Sequence, residues 1–356
     1  MGLIDIRSAR MAELEALLVR LGEKPFRAKQ IFKRLHAQYA DSFDDMTELS
    51  KPLRVKMSDV SRISTLSCAQ KQVSAQDGTI KYLFAFENEG IMEGVPRVGG
   101  SVTAEAVLMR HDYGNTVCVS SQAGCRMGCR FCASTLNGLA RSLTAGEMAG
   151  QVYAIEKDTG EAVTRVVVMG CGEPLDNYSS LLRFIRLLND PDGKNMSQRH
   201  ITVSTCGLVP QMQRLTAEKL QITLAVSLHA SNDEIRKTIM PVARKYPMEE
   251  LLAVCKAYGD VTKRRVTMEY ALIAGVNDSV SHARELAGKL RHMLCHVNLI
   301  PVNAVAEREF SASAEETAQA FAKALQERGL EATVRKRFGA DIDAACGQLR
   351  AASGNT

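Results

Sequence analysis

The chain has 356 residues, 46% hydrophobic and 24% charged, with 25 glycines, 9 prolines and 10 cysteines. That balance suits a soluble globular protein with a large core and room for a smaller second one, and no stretch approaches the ~20 apolar residues that span a bilayer. A net charge of +5 permits a nucleic-acid partner without establishing one.

The first residues, Met1 to Arg7, lack the basic start and long apolar run of a secretory signal. Residues 11–22 carry apolar positions at helical spacing and close on Gly22, which predicts an amphipathic helix. A second helix is predicted over 26–37. Ile31, Phe32 and Leu35 lie on its apolar side, and Arg27, Lys29, Lys33 and Arg34 on the other. A third falls within 50–59. Residues 1–65 therefore read as a small helical domain with a partly basic surface, and such a surface is most often simply solvated.

Residues 66–110 change pattern. Segments 72–74, 81–86 and 104–109 read as strands separated by glycine-rich and polar turns, leading into a larger domain. From 111 to 350 strand and helix alternate. Strands are predicted at 115–119, 165–169, 200–204, 223–228, 266–270, 296–299 and 333–335. Helices are predicted at 144–157, 178–189, 211–217, 248–257, 279–290 and 314–328. Six or seven βα units imply an α/β fold whose parallel sheet curls into an open or partial barrel, with its chemistry at the C-terminal ends of the strands. The last six residues are expected to be loose.

Four of the ten cysteines crowd between Cys118 and Cys132 and the rest are scattered. This points to a reducing cytoplasm and a metal site rather than a disulfide framework. Cys125, Cys129 and Cys132 form a Cys-x3-Cys-x2-Cys run, with Gly124, Gly128 and Ala133 keeping the loop compact. Three soft thiolates at this spacing suit three corners of a four-iron, four-sulfur cube and leave the fourth iron open for a small chelating cofactor. Zinc is the rival metal, and Cys118 is near enough in sequence to serve as its fourth ligand.

A second element, Met169-Gly-Cys-Gly172-Glu173-Pro174, ends a strand. Its glycines let backbone approach a ligand, and the Glu173 carboxylate can accept from an ammonium. A plain turn with a surface glutamate is the alternative. Three further strand ends carry short polar groups: Ser204 to Gly207, Ser227 to His229, and Leu299 to Asn303.

The cysteine run after a strand resembles the radical S-adenosylmethionine (SAM) superfamily. Cys346 in Ala-Ala-Cys-Gly-Gln-Leu, Cys118 in Cys-Val-Ser-Ser-Gln-Ala-Gly-Cys and the Gly-Glu-Pro segment together resemble the RlmN/Cfr family of RNA adenine methyltransferases, over essentially the whole chain. The resemblance implies a radical SAM partial (β/α)6 barrel with a small helical N-terminal accessory domain. It implies a [4Fe-4S] cluster on Cys125, Cys129 and Cys132. SAM would be bound by Gly172, Glu173, Ser204, Ser227, Leu228, His229 and Asn303.

The resemblance also implies a mechanism. One SAM methylates the Cys346 thiolate, and a second yields a radical that takes hydrogen from the S-methyl group. The resulting carbon radical adds to adenine. Cys118 then resolves the protein–RNA adduct and leaves a disulfide with Cys346, so the two cysteines are expected to meet in space. Glu105 is implied as a general acid–base residue, although from sequence it reads equally as a salt-bridged surface glutamate. Arg335, Lys336 and Arg337 form a basic cluster that would meet phosphates or be solvated. Cys171 and Cys206 stand where other residues are commoner in the family, and neither displaces a cluster ligand.

The implied partners are 23S rRNA, tRNA and a low-potential electron donor such as flavodoxin or ferredoxin, with a monomeric, cytoplasmic protein and no membrane. Cys295 to Asn303 and the Gly172-Glu173-Pro174 form resemble the enzymes that methylate adenine C2, at adenosine 2503 of 23S rRNA and adenosine 37 of certain tRNAs. The C8-specific resistance enzymes resemble Gly-Glu-Ala at that place. A radical enzyme acting on a small molecule or peptide, and a non-catalytic iron–sulfur or zinc RNA-binding module, are the readings from other classes.

Overall fold

The computed structural model describes residues 3–86 and 102–349; the terminal six residues, expected to be loose, lie outside them. The N-terminal part holds β1 (Ile4–Asp5), α1 (Met11–Arg20), α2 (Arg27–His36), α3 (Lys51–Val60) and β2 (Ser61–Arg62), with β1 and β2 paired in parallel. Each helix forms where the apolar stripe demanded it: Leu14, Leu17 and Leu18, then Ile31, Phe32 and Leu35, then Leu53 and Met57 are buried. On the basic side of α2, Arg34 pairs with Glu48 at 2.6 Å and Lys29 with Asp192 at 2.9 Å.

The chain continues through β3 (Leu66–Val73), β4 (Ile80–Phe86), β5 (Val102–Met109), β6 (Asn115–Cys118), β7 (Gln122–Gly124), β8 (Leu139–Ser142) and α4 (Ala145–Thr159). Next come β9 (Val163–Val168), α5 (Tyr178–Asn189), β10 (Ile201–Thr205), α6 (Val209–Ala217), β11 (Thr223–Ser227), α7 (Asp233–Ile239) and α8 (Met248–Thr262). The order ends with β12 (Val266–Leu272), α9 (Val280–Leu290), β13 (Cys295–Pro301), α10 (Glu315–Gln326) and β14 (Glu331–Val334).

Among the described residues the central sheet has ten strands, ordered β14-β13-β12-β11-β10-β9-β6-β5-β4-β3. All neighbours from β6 to β14 pair in parallel, with helices in the connections, as the alternating pattern predicted. The 66–110 strands add to β6 in antiparallel fashion and continue the same sheet, with Val107 opposite Cys118. The sequence did not signal α7 or the β7–β8 hairpin.

The N-terminal helices are fastened to the barrel. Arg7, fully buried, donates to the carbonyls of Ser64 (2.7 Å) and Ala40 (2.5 Å) and to Asp41 (2.8 Å). His36 of α2 meets the Tyr153 hydroxyl of α4 at 2.9 Å, and Tyr39 stacks on Tyr153 with centroids 4.4 Å apart.

Burial, reinforced by the Arg7 cation, pushes the His36 pKa down from 6.5 to about 3. The folded ring stays neutral where the unfolded one takes up a proton. Its contribution is therefore intact above pH 6.5 and is lost as pH falls from 6.5 toward 3, at about 1.4 kcal/mol per unit. Urea titrations between pH 7 and 4 should show this slope, and His36→Phe should flatten it by that amount; an unchanged slope in the variant would assign the effect to another group.

Candidate active site at the C-terminal ends of the strands

The cysteine run occupies the loop between β7 and β8. Gly124 enters it at φ 77°, and a Cβ there would lie 2.0 Å from the Gly138 carbonyl, so only glycine lets the hairpin close. The Cys125 N–H donates to Gly138 O at 2.8 Å, and the Thr135 hydroxyl donates to the carbonyls of Cys129 (3.2 Å) and Cys132 (3.0 Å). The loop is thus shaped by its own backbone. Cys125, Cys129 and Cys132 edge one cavity of about 590 Å³ together with Gly172 and Glu173.

Burial pushes the Cys129 thiol up to about 12 and Cys125 upward as well. Among the described residues no three Cys, His, Asp or Glu side chains converge on one ion. A cube takes one thiolate per iron corner, so separate sulfurs around a shared cavity fit it, whereas tetrahedral zinc needs four donors at one point.

The segment after β9 forms the next wall. Gly172 (φ 105°) packs so closely that a Cβ would sit 2.5 Å from that of Gln122. Glu173 is not on the surface: it is 3% exposed and accepts from the N–H groups of Cys206 (2.7 Å) and Leu175 (3.0 Å). Burial raises its pKa against those hydrogen bonds. The Cys206 thiol and the Thr205 hydroxyl also bond this carboxylate.

Ser204, Ser227 and His229 line the same cavity, and all three line the adjoining one of about 640 Å³, which also includes Asn303 and Cys346. Leu228 lines neither cavity: its side chain is in the core, its N–H donates to Glu269 O and its carbonyl accepts from Arg236. His229 sits at φ 55° and its Nδ1 accepts from Ala271 N–H at 2.9 Å, which puts the ring proton on Nε2. Burial and then Arg236 push its pKa down to about 3, so the ring is neutral.

The C-terminal segment after β14 crosses the open side of the sheet like a strap. Asp341 accepts from the Ser74 hydroxyl (2.6 Å) and Ala75 N–H (2.9 Å), and Gly339 N–H donates to Asp77 (2.9 Å). Farther along, Ala133 N–H donates to Gly347 O (2.7 Å), the Ser134 hydroxyl to Leu349 O (2.6 Å), and Asn303 Nδ2 to Cys346 O (2.9 Å). Cys346 is thereby placed in a cavity of about 520 Å³ that Cys118 also lines. The expected meeting of the two cysteines is what the fold provides, with both sulfurs as free thiols.

Burial, with Cys346 adding to it, pushes Cys118 up to about 12 against the pull of Arg335. Arg335 lines the same cavity, and Cys346, Glu269 and Cys118 hold its guanidinium charged. Glu105 is 8% exposed and pairs with Lys81 at 3.3 Å; the same ammonium reaches Asp343 O on the strap at 3.3 Å. Cys171 and Cys206 are both buried with raised pKa values.

Sequence reasoning missed three residues here. Glu269 of β12 is buried, accepts from Asn298 at 2.8 Å and lines the cavity with Cys346. Lys81 was read only as part of a strand. Arg236, in Asp-Glu-Ile-Arg-Lys, looks like a solvated helix cation, yet it is fully buried and donates to Cys206 O (2.8 Å), Leu228 O (3.2 Å), Ser227 O and Tyr246 O (3.4 Å each). Nothing local in the sequence distinguishes it.

The same residues match known proteins. Residues 4–63 match the ribosomal RNA large subunit methyltransferase N-terminal domain, and residues 119–287 the radical SAM superfamily. The chain is 51% identical to a probable dual-specificity RNA methyltransferase RlmN from Lachnospira eligens, covering 97% of this chain and 95% of that one. It is 49% identical to a protein of the same description from Desulforamulus reducens, over 98% and 96% of the two. The crystal structure of a radical SAM methyltransferase from Sphaerobacter thermophilus superposes with a TM-score of 0.90 at 44% identity, over 98% of this chain and 99% of that one. Likeness of this degree along nearly the full length means that the chain belongs to the RlmN family of radical SAM RNA methyltransferases.

Proposed function

We propose that this chain methylates C2 of adenosine 2503 in 23S rRNA and of adenosine 37 in certain tRNAs, with Cys346 as the methyl carrier. The observation that carries this reading is the continuity of the cavities. Cys118 and Cys346 line one, and Met169, Asn303, Arg335 and Cys346 connect it to the chamber reached by Cys132 and His229. Cys125, Cys129 and Cys132 would hold a [4Fe-4S] cluster, and Gly172, Glu173, Ser204, Ser227, Leu228, His229 and Asn303 would surround SAM. When bound, that pair supplies the one-electron chemistry that an unactivated aromatic carbon needs.

The rest follows from the chain's own groups. Cys346 Sγ accepts a methyl group from the sulfonium of one SAM, which leaves as S-adenosylhomocysteine, with the Arg335 guanidinium lining the same cavity. Asn303 holds the Cys346 carbonyl, so the sulfur keeps its aim through the steps. Val107, Met109 and Leu349 wall the cavity with apolar surface and keep water from the reacting carbon. Glu105 takes the proton that leaves the ring carbon, held in register with the strap by Lys81. The Cys118 sulfur, giving up its proton, attacks Cys346 sulfur and breaks the bond from that sulfur to the methylene carbon; the carbon takes a proton to become the methyl group, the RNA is released, and the disulfide so formed must be reduced. A low-potential donor of the flavodoxin or ferredoxin kind serves the cluster, and the protein works as a cytoplasmic monomer.

The test is anaerobic reconstitution with iron, sulfide and SAM, followed by incubation with an rRNA fragment and a tRNA anticodon arm. Digestion and mass analysis against isomer standards should return 2-methyladenosine from both. Exclusive 8-methyladenosine would replace the C2 assignment, and absence of any 5′-deoxyadenosine would favour a non-catalytic RNA-binding module. In the same assay Cys118→Ala should accumulate a covalent protein–RNA species that survives denaturing electrophoresis. Release at the wild-type rate would remove Cys118 from the mechanism.

A further inference from the structure

A closed barrel normally fills its lumen with branched apolar side chains. Here the half of the lumen nearer the strand N-termini is unfilled: a cavity of about 1150 Å³ lies there, walled by short polar residues such as Thr116, Thr202, Thr223 and Thr333. Met109, Arg335, Lys336 and Phe338 line both this cavity and the one holding Cys118 and Cys346, so the two adjoin.

Its rim combines aromatic planes with unneutralised cations. His111 and Tyr113 stack with centroids 4.6 Å apart and planes at 9°, and Phe338 meets His111 edge-on at 4.8 Å. The Arg165 guanidinium lies 4.6 Å from the Tyr113 centroid. Among the described residues no acidic side chain lines the cavity and no carboxylate pairs with Arg165, Arg199 or Lys336. The arrangement lowers the His111 pKa, through burial first and then Arg335 and Arg165. Stacking faces interleaved with free guanidinium groups are the means by which proteins hold single-stranded nucleic acid without reading its sequence.

We infer that this lower chamber is a second RNA subsite, seating a nucleotide next to the target adenine with its base on the Tyr113 face that Arg165 now covers and its phosphates on Arg165, Arg199 and Lys336. The inference rests on the RNA-methylating reading above. By stacking the neighbour, the chain splits the target from its own stacking partner, and the cost of extruding the adenine is met inside the barrel.

Binding of an rRNA fragment to the reconstituted protein tests this, using the intact fragment and one with abasic sugars on both sides of the target. For the wild type, removing the neighbouring bases should weaken binding about 5- to 100-fold, the range for one stacked base. Tyr113 is 62% exposed, so Tyr113→Ala endangers little of the fold. It should weaken binding of the intact fragment by a similar factor and leave binding of the abasic fragment as in the wild type. Arg199→Gln should reduce the slope of log affinity against log salt by about 1. Equal losses on both fragments in Tyr113→Ala, or an unchanged salt slope in Arg199→Gln, would overturn the subsite. A wild-type protein that neither binds nor methylates the fragment would instead overturn the reading on which it rests.

Discussion

Cys346→Ala is expected to lower methyl transfer to RNA by at least about a thousandfold, to the limit of detection, because Cys346, unlike Cys118, lines both the cavity they share and the adjoining chamber of Ser204 and His229. The geometry makes this a clean test. Asn303 grips the carbonyl of Cys346 and Ala133 grips that of Gly347, so the strap is held by backbone, which alanine keeps. Cys125, Cys129 and Cys132 sit on a separate loop that Cys346 does not shape. Iron content after reconstitution and the circular dichroism spectrum should therefore match the wild type. Cys346→Ser sharpens the result, since it preserves size but offers a hydroxyl, a far weaker nucleophile than a thiolate, and it too should fail. Methyl incorporation measured by mass spectrometry, on RNA and on protein separately, reads the outcome. Turnover in either variant near the wild-type rate would strike Cys346 from the mechanism.

The sequence spoke clearly wherever one periodic segment buries one face. The helix expected over 178–189 is Tyr178–Asn189 in the structure, and the strand expected at 223–228 is Thr223–Ser227. Ends went astray where a single residue overrode the usual punctuation. The helix expected to stop at 257, short of Gly259, runs to Thr262 because packing outweighs the ~1 kcal/mol that an internal glycine costs. Lys263, not a glycine, then takes the left-handed cap at φ 56°. The helix expected from 211 begins at Val209, since Pro210 is tolerated in a first turn. Strands β7 and β8, of three and four residues with a bulge, are too short for alternation to register.

The site divided along the same line. Cysteine spacing and the Gly-Glu-Pro turn are local patterns and could be read. The roles of Cys346 and Cys118 rested on resemblance, because strap and strand meet only through contacts such as Ser74 to Asp341 that span most of the chain. Arg236 and Lys81 were invisible for a further reason. A cation's burial depends on carbonyls and carboxylates that distant strands bring to it, and its neighbours in sequence carry no trace of them.

Arg236→Met is expected to produce the largest loss of stability among single substitutions near the site. The guanidinium collects carbonyls from two strand ends, at Cys206 and at Ser227 and Leu228, and from Tyr246 in the connection between α7 and α8. Gly207, at φ 101°, packs so that an added Cβ would lie 3.3 Å from Arg236 Nη2, so the backbone has already been drawn in around the cation. Methionine fills similar volume but strands these acceptors in a dry place. An unsatisfied buried group costs about 1–3 kcal/mol. Two of the four contacts are long, so the sum should fall near the ~3–5 kcal/mol typical of breaking a buried charged network. Thermal midpoints should drop by roughly 4–7 °C for a chain of 356 residues. Ser227 and the Cys206 turn also line the cofactor cavity, so affinity for SAM should fall more than affinity for RNA. Arg236→Lys keeps the charge but not the fork of donors, and should lie between the two. Calorimetric SAM titrations alongside thermal melts decide the matter: a Met variant that melts and binds like the wild type would show that the strand ends hold one another without the clamp.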